Sequence, residues 1–191
     1  MSITHPVVHN TPFGDRQIAV KLAYLFLIKK TIVMKQFIQW LLNPPLNNQS
    51  SILILRLMAG GVFFWEGILK FVYPNQGLGR FTKLGFPMPE LTANFVASFE
   101  VVGGLFLLLG LFTRLAACGF IIEMIVAMLT TKISLYLGTS PLPLPPALPK
   151  VGFWAVLHEI RSDYAQILVS LFLLLEGPGR RSLDHFLKRR H

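Results

Sequence analysis

Charged residues are scarce in this chain. Only 14% of its 191 residues are Asp, Glu, Lys or Arg, whereas 53% are hydrophobic. A soluble domain carries roughly 25% charged residues. The lower fraction here indicates that most of this chain is not exposed to water. The composition therefore excludes an ordinary soluble domain and indicates an integral membrane protein.

Cysteine is almost absent, and the residue pairs that commonly hold metals and redox centres are missing. The single Cys118 lies in an apolar run, where a lone cysteine usually behaves as a small hydrophobic residue. There is no cysteine pair for an iron–sulfur cluster and no histidine pair at membrane depth for haem. His158-Glu159 resembles the start of a zinc-protease motif, but Ser162 stands where the second histidine is needed. We therefore expect no metal site and no intrinsic cofactor.

Acidic residues are outnumbered, with 9 Asp and Glu against 18 Lys and Arg. The basic residues concentrate in the first 35 positions and the last dozen, on either side of the apolar runs. Such flanking charge orients membrane proteins and places both termini in the cytoplasm. No basic stripe is interleaved with stacking aromatics, so nucleic-acid binding is not expected and the lipid bilayer is the predicted partner.

Apolar segments between proline- and glycine-rich breaks predict an all-α fold, an integral membrane four-helix bundle occupying residues 51–178. The fourth apolar segment has the shortest apolar run, residues 167–175. The polar residues that precede this run must therefore also enter the membrane. Residues 179–191 form a basic cytoplasmic tail. The predicted spans are about 52–73, 91–112, 115–137 and 156–176.

Residues 1–50 form a basic N-terminal extension, in which Asn43-Pro44-Pro45 breaks any helix. Its apolar run 22–28 is too short to span a bilayer. Two interpretations stay open. The segment is an interfacial or disordered extension, or Met34 is the true start of the protein. No function is assigned to it.

Ionisable residues lie inside the predicted spans, where each is costly if it faces lipid. Projection at about 100° per residue gives every span one stripe of small and polar residues. Arg114 projects to the opposite face, and the spacing of Glu66 and Lys70 suits an ion pair within one helix. The stripes are Arg56, Gly60, Phe63, Gly67 and Lys70; Ala93, Ala97, Glu100 and Gly104; Ala116, Gly119, Phe120, Glu123, Ala127, Thr130 and Ser134; and Asp163, Gln166, Ser170 and Gly177.

These polar groups have two interpretations. They hold the helices together by hydrogen bonds and ion pairs, or they form a binding pocket with a proton relay, because carboxylates removed from water can exchange protons near neutral pH. In the second interpretation Glu66, Glu100 and Glu123 relay protons, while Arg56 and Lys70 balance their charge and belong, with the entrance residues, to the substrate-binding set. The outer entrance is then formed by His158, Glu159, Arg161 and Asp163.

Four short motifs, in this order and spacing, resemble the DoxX family of small bacterial membrane proteins. The motifs are Arg56-Leu57 with Gly67 and Lys70; Glu100-Val-Val-Gly-Gly-Leu followed by Gly110-Leu-Phe-Thr-Arg114; Gly152-Phe-Trp154 with His158-Glu-Ile-Arg-Ser-Asp163, typical of a branch with a longer loop; and Gly177-Pro-Gly-Arg-Arg-Ser-Leu-Asp184. The resemblance implies a four-helix bundle in the bacterial inner membrane and an association with membrane redox chemistry.

The function expected from this resemblance is that of an inner-membrane subunit supporting redox chemistry with a quinone, thiol or sulfur compound through the buried carboxylates. A redox enzyme is then its partner. A quinone is the one cofactor that it would be expected to bind. Whether the chain is itself an oxidoreductase subunit is left open. The alternative is a non-catalytic membrane scaffold or small-solute carrier that binds a redox partner. Neither the substrate nor the oligomeric state follows from the sequence.

Overall fold

The computed structural model describes residues 12–44, 47–146 and 149–189, with side chains from residue 20 onward. The chain divides into two units, one up to Trp40 and one from Leu41. The described residues of the first unit all belong to the helix α1, Pro12–Leu42, whose described side chains are mostly exposed. This helix ends just before Asn43-Pro44, where the sequence predicts a break. A position at the membrane surface stays a prediction for α1.

The second unit is a helical membrane bundle, as the sequence predicts. Three of its helices are long and apolar enough to cross a membrane: α2 (Ile52–Val72), α4 (Pro89–Leu109) and α5 (Thr113–Leu137). The fourth bundle helix is α7 (Arg161–Glu176), which packs against α5 and α2. Three short helices connect or follow them, and the described residues contain no strand. They are α3 (Leu78–Lys83), α6 (Phe153–Glu159) and α8 (Leu183–Arg189).

The fourth predicted span, 156–176, is interrupted in the structure. The chain turns at Ile160, which separates α6 from α7. With 16 residues, α7 is about 24 Å long, less than the roughly 30 Å hydrocarbon layer. Asp163 in its first turn suits the positive end of the helix dipole, which favours a new helix beginning here.

Helices α2 and α4 approach each other closely because glycines face each other across their contact. A Cβ atom on Gly60 would lie 2.8 Å from the carbonyl oxygen of Gly104, and one on Gly67 would lie 2.8 Å from that of Ala97. Small residues allow this distance where helices pack without a hydrophobic driving force. The predicted stripe on α4 is confirmed, since all four of its residues are buried.

Arg114, which projects to the face of α5 opposite the polar stripe, is buried against another helix. Its side chain is only 4% exposed, and its Nη2 donates to the carbonyl oxygen of Leu175 at 2.7 Å. The last carbonyls of a helix lack partners within the helix and carry partial negative charge, so a cation is stabilised there. Arg114 thus binds the end of α7, a contact that a projection of α5 alone does not contain.

Gly60→Ala is expected to lower the free energy of unfolding by about 1–3 kcal/mol, because the added methyl group overfills the α2–α4 contact. Gly61→Ala is the matched control: the neighbouring glycine has no atom within 4 Å of an added Cβ. Unfolding of the purified protein in mixed detergent micelles measures both. Equal losses for the two variants would contradict the packing assigned to Gly60.

Candidate functional site: a charged cavity inside the bundle

The bundle encloses a cavity of about 630 Å³ that is lined by α2, α3, α4, α5 and α7. Exposed Gln76 lies on its rim, so the cavity reaches the surface at the end of the bundle where Lys70 lies, called here the Lys70 end. The opposite end is called the Arg56 end. The charged lining residues are Glu66, Lys70, Arg80, Glu100, Glu123 and Asp163.

Lys70 forms an ion pair with Glu100 across the α2–α4 contact. Its Nζ lies 2.8 Å from Oε1 and 2.5 Å from Oε2 of the carboxylate, and the two side chains are 14% and 3% exposed. Side chains of a helix lean toward its N-terminus, so Lys70 reaches from near the end of α2 toward the middle of the bundle. The predicted Glu66–Lys70 pair is therefore wrong, because the ammonium group pairs with another helix.

Glu123 of α5 lies beside this ion pair, close enough for its carboxyl group to interact with that of Glu100, and both side chains line the cavity. Both glutamates lie about 15 Å along their helices from the α4–α5 turn, near the middle of a bilayer. Glu66 lies close enough to act electrostatically on Glu100. The structure thus brings together the three glutamates that the sequence analysis singles out.

Two residues of this site carry a buried oxygen atom that has no hydrogen-bond partner among the described residues. The two atoms are Oε2 of Glu123 and Oε1 of Gln166. Both side chains line the cavity. Buried polar atoms are normally satisfied, so unpaired ones in a cavity point to water or a ligand.

A second ion pair lies nearer the Lys70 end. Nζ of Lys132 on α5 lies 3.6 Å from Oδ2 of Asp163 on α7, and both side chains are partly exposed. Arg80 of α3 also lines the cavity. The sequence does not predict this position of Arg80, since nothing in a linear sequence folds α3 back over the bundle.

Aromatic rings lie between the cavity and the Arg56 end. Phe63 stacks on Phe120 with ring centroids 3.6 Å apart, and Phe99 packs on Phe120 at 5.1 Å. Along α2, Phe63 comes between Arg56 and Glu66; along α5, Phe120 comes between Arg114 and Glu123. These three rings, called here the aromatic layer, close the cavity on that side.

Arg56 does not line the cavity, although the sequence analysis placed it with the substrate-binding residues. It is 1% exposed at the opposite end, and its guanidinium group donates to four backbone carbonyls. Two belong to the end of α4 and two to the segment after α7: Leu107 at 2.8 Å, Leu108 at 2.7 Å, Pro178 at 3.0 Å and Arg181 at 2.6 Å. Arg56 therefore does not balance the charge of the glutamates. Its positive charge is instead stabilised by the dipoles of backbone carbonyl groups.

Asp184 completes this end by binding the start of α5. Its carboxylate accepts hydrogen bonds from the backbone N–H groups of Phe112 at 3.0 Å and Thr113 at 3.2 Å. The N–H of Asp184 donates to the carbonyl of Gly110 at 2.9 Å. Gly110 has φ +68°, and a Cβ there would lie 2.6 Å from Cζ of Arg56, so the turn requires glycine.

The predicted entrance residues separate in the structure. Asp163 lines the cavity, whereas His158, Glu159 and Arg161 do not. His158 is exposed and lines a separate shallow groove with Trp154 and Leu157. Arg161 is also exposed, and it donates to the carbonyl of His158. Among the described residues, no group of three His, Cys, Asp or Glu side chains is arranged to hold a metal ion.

Comparison with known proteins agrees with this architecture. A family model described as DoxX matches residues 51–133, which include α2, α4 and most of α5. The chain is 41% identical over 154 residues to the uncharacterized membrane protein Rv3486 of Mycobacterium tuberculosis, covering 78% of this chain and 85% of that protein. The chain belongs to the DoxX family. This DoxX protein is also 28% identical over 134 residues to CatD of Bacillus subtilis, named as a candidate oxidoreductase, covering 70% of this chain and 84% of CatD. No solved structure gives a significant match.

Apart from the motif around His158, the DoxX motifs of the sequence fall into two places in the fold. Arg56, Gly110 and Asp184 meet at the Arg56 end, where they fasten the α4–α5 turn. Lys70 and Glu100 meet in the cavity. The order and spacing that carry the resemblance therefore describe one structural contact and one charged site.

Lys70→Met is expected to lower the free energy of unfolding by about 2 kcal/mol, because it leaves the buried Glu100 carboxylate without its cation. Adding Glu100→Gln should recover about 1 kcal/mol relative to the sum of the single changes, since the uncompensated charge is gone. A double-mutant cycle in detergent micelles measures the coupling. Exposed Lys83, outside the cavity, provides the control variant Lys83→Met. A coupling of zero would contradict the ion pair.

Proposed function

We propose that this DoxX protein is a membrane subunit that supports redox chemistry with a quinone, thiol or sulfur compound, and that its cavity carboxylates handle the protons. The observation that carries the proposal is the contact of Glu100 with both Lys70 and Glu123 in a cavity at membrane depth. The name of its relative CatD, a candidate oxidoreductase, supports the same class of chemistry.

The carboxyl pair is suited to hold and pass on a proton. A hydrogen bond between two carboxyl groups needs a proton on one of them, because an ionised carboxylate can only accept. Lys70 compensates the charge of the other carboxylate, so the cluster of one cation, one anion and one neutral acid is balanced. Glu123 lines the cavity and its Oε2 has no hydrogen-bond partner among the described residues, so in this proposal a molecule bound there accepts or delivers that proton.

The lining also fits a quinone headgroup. A volume of about 630 Å³ lies within the roughly 300–1,000 Å³ of small-molecule sites. Phe63, Phe95 and Phe99 offer apolar ring faces, while Lys70 offers a hydrogen-bond donor. A quinone takes up two electrons and two protons on reduction to the quinol. In this proposal the electrons come from a partner redox enzyme, or from a thiol or sulfur donor, and the residues supply position and protons.

We further propose that the protein lies in the bacterial inner membrane with both termini in the cytoplasm. The N–H of Arg180 donates to the carbonyl of Gln49, so the start of α2 and the chain after α7 share the Arg56 end. Arg180, Arg181, Lys188 and Arg189 follow α7 there, and positive charge marks the cytoplasmic side. The cavity then opens to the opposite side.

A small-solute carrier is the second candidate. The observation favouring it is that the cavity presents both signs of charge, with Lys70 and Arg80 beside Glu66 and Asp163. Such a lining suits a polar solute as well as a redox headgroup. In this case the protein would bind a redox partner without taking part in its chemistry.

Protein purified in a mild detergent is expected to retain a quinone at near-stoichiometric amount. The ultraviolet difference spectrum before and after borohydride measures it, and a solvent extract identifies it. The variant Phe63→Trp, which narrows the cavity, should retain less. Folded protein that carries no quinone, and binds none when a naphthoquinone is added, would favour the carrier or scaffold instead.

Glu123→Gln is expected to slow thiol- or thiosulfate-dependent reduction of a naphthoquinone in proteoliposomes by about 100-fold, since a positioned acid or base contributes at least that factor. Glu100→Gln should act similarly. Exposed Glu90, which does not line the cavity, gives the control Glu90→Gln. Unchanged turnover in the Glu123 variant, with its fold intact, would remove the proton-relay role.

A further inference from the structure

The contact between α4 and α5 is closed on one side of the cavity and open on the other. Toward the Arg56 end, a Cβ atom on Gly103 would lie 2.8 Å from Cζ of Phe120, and one on Gly119 would contact the ring of Phe99. Aromatic rings thus fill the space left by two glycines, and the helices are in firm contact up to Phe99. On the next turns toward the Lys70 end, both helices line the cavity instead, with Phe95 and Val96 on α4 and Ile122 and Val126 on α5.

Three residues on these next turns line the cavity and are also exposed on the outside of the bundle. Phe95 of α4 is 68% exposed, and Ile122 and Val126 of α5 are 60% and 43% exposed. Their exposed neighbours on α5, Ile125 and Leu129, do not line the cavity. Phe95, Ile122 and Val126 therefore stand at an edge where the cavity meets the outer surface, called here the α4–α5 groove.

The depth of this groove decides what can pass through it. Ile122 precedes Glu123 directly and lies about 14 Å from the first residue of α5. This level is inside the hydrocarbon layer, and the three groove residues are apolar. A water-soluble molecule has no reason to enter here, whereas a hydrocarbon chain finds apolar surroundings along the whole path.

We propose that the substrate is a lipid-soluble molecule with a polar head and a hydrocarbon tail, which enters sideways from the bilayer through the α4–α5 groove. The head lies against Lys70, Glu100 and Glu123, and the tail stays in the groove between Phe95 and Ile122. The inference rests on the proposed function and narrows it to a tailed quinone or a similar amphiphile. Water-soluble thiols reach the site only from the Lys70 end.

Access from the lipid can be tested without any substrate. Dicyclohexylcarbodiimide, which dissolves in membranes, adds to a carboxyl group to form a stable N-acylurea, and a water-soluble carbodiimide does the same from the aqueous side. In proteoliposomes we expect the membrane-soluble reagent to label Glu100 or Glu123, as located by peptide mass spectrometry. Ile122→Trp should slow that labelling about tenfold by filling the groove, with labelling by the water-soluble reagent unchanged.

Two further variants separate access from damage to the fold. Ile125→Trp, on the same helix but outside the cavity, should label at the wild-type rate, and Ile122→Ala should label at least as fast as wild type. The inference is overturned if the membrane-soluble reagent leaves both glutamates unlabelled in the wild type. It is also overturned if Ile122→Trp and Ile125→Trp slow both reagents equally.

Quinone binding then tests whether the hydrocarbon tail contributes to affinity in the α4–α5 groove. Calorimetric titration should show that Ile122→Trp weakens binding of a decyl-chain quinone about tenfold, the loss expected when roughly two methylene groups lose apolar contact. Binding of the tail-less parent quinone should not change. Equal effects on both compounds would overturn the role of the tail. If the wild type binds neither compound but is labelled as described, the proposed quinone chemistry fails while the lateral entry stands.

Discussion

The bundle depends on one buried guanidinium group. Arg56 ties α2 to the last carbonyls of α4 and to the segment that follows α7, three parts of the chain that are far apart in sequence. A buried cation is costly unless its donors are satisfied, and here helix-end carbonyls do so where they lack partners of their own. Asp184 provides the opposite charge for the start of α5. The α4–α5 turn is thus held between a cation and an anion, each at the helix end that its charge stabilises.

The charged residues of the spans therefore form two sets that differ in the groups they contact. At the Arg56 end, charges meet backbone dipoles, so the geometry is fixed and water is excluded. In the cavity, Lys70, Glu100 and Glu123 meet one another and leave an acceptor unpaired. The aromatic layer keeps the two sets apart. Holding the helices together and forming a binding site are therefore compatible interpretations, because the contacts at the Arg56 end fasten the helices whichever role the cavity residues have.

The sequence predicts the helical class, the buried stripe of α4 and the meeting of the three glutamates, since each follows from composition or from helical periodicity. It does not predict the partner of Lys70, because an intrahelical spacing of four residues suits Glu66 equally well. Arg56 and Arg114 also escape prediction. Both bind backbone carbonyls of other helices, and a backbone acceptor has no signature among the side-chain types of a sequence. Arg80 reaches the cavity only because α3 folds back over the bundle, which depends on loop geometry.

The aromatic layer has an electrical consequence for a protein in an energised membrane. When a cavity admits water or ions from one side of the membrane, the electrical potential at its bottom is close to that of the solution on that side. Most of the transmembrane voltage then falls across the thin, dry region between Phe63, Phe120 and the Arg56 end, rather than evenly over the bilayer. Moving one charge through the full potential costs about 2.3 kcal/mol per 100 mV. A proton that reaches Glu123 from the Lys70 end crosses little of that potential, so its uptake there is nearly independent of voltage.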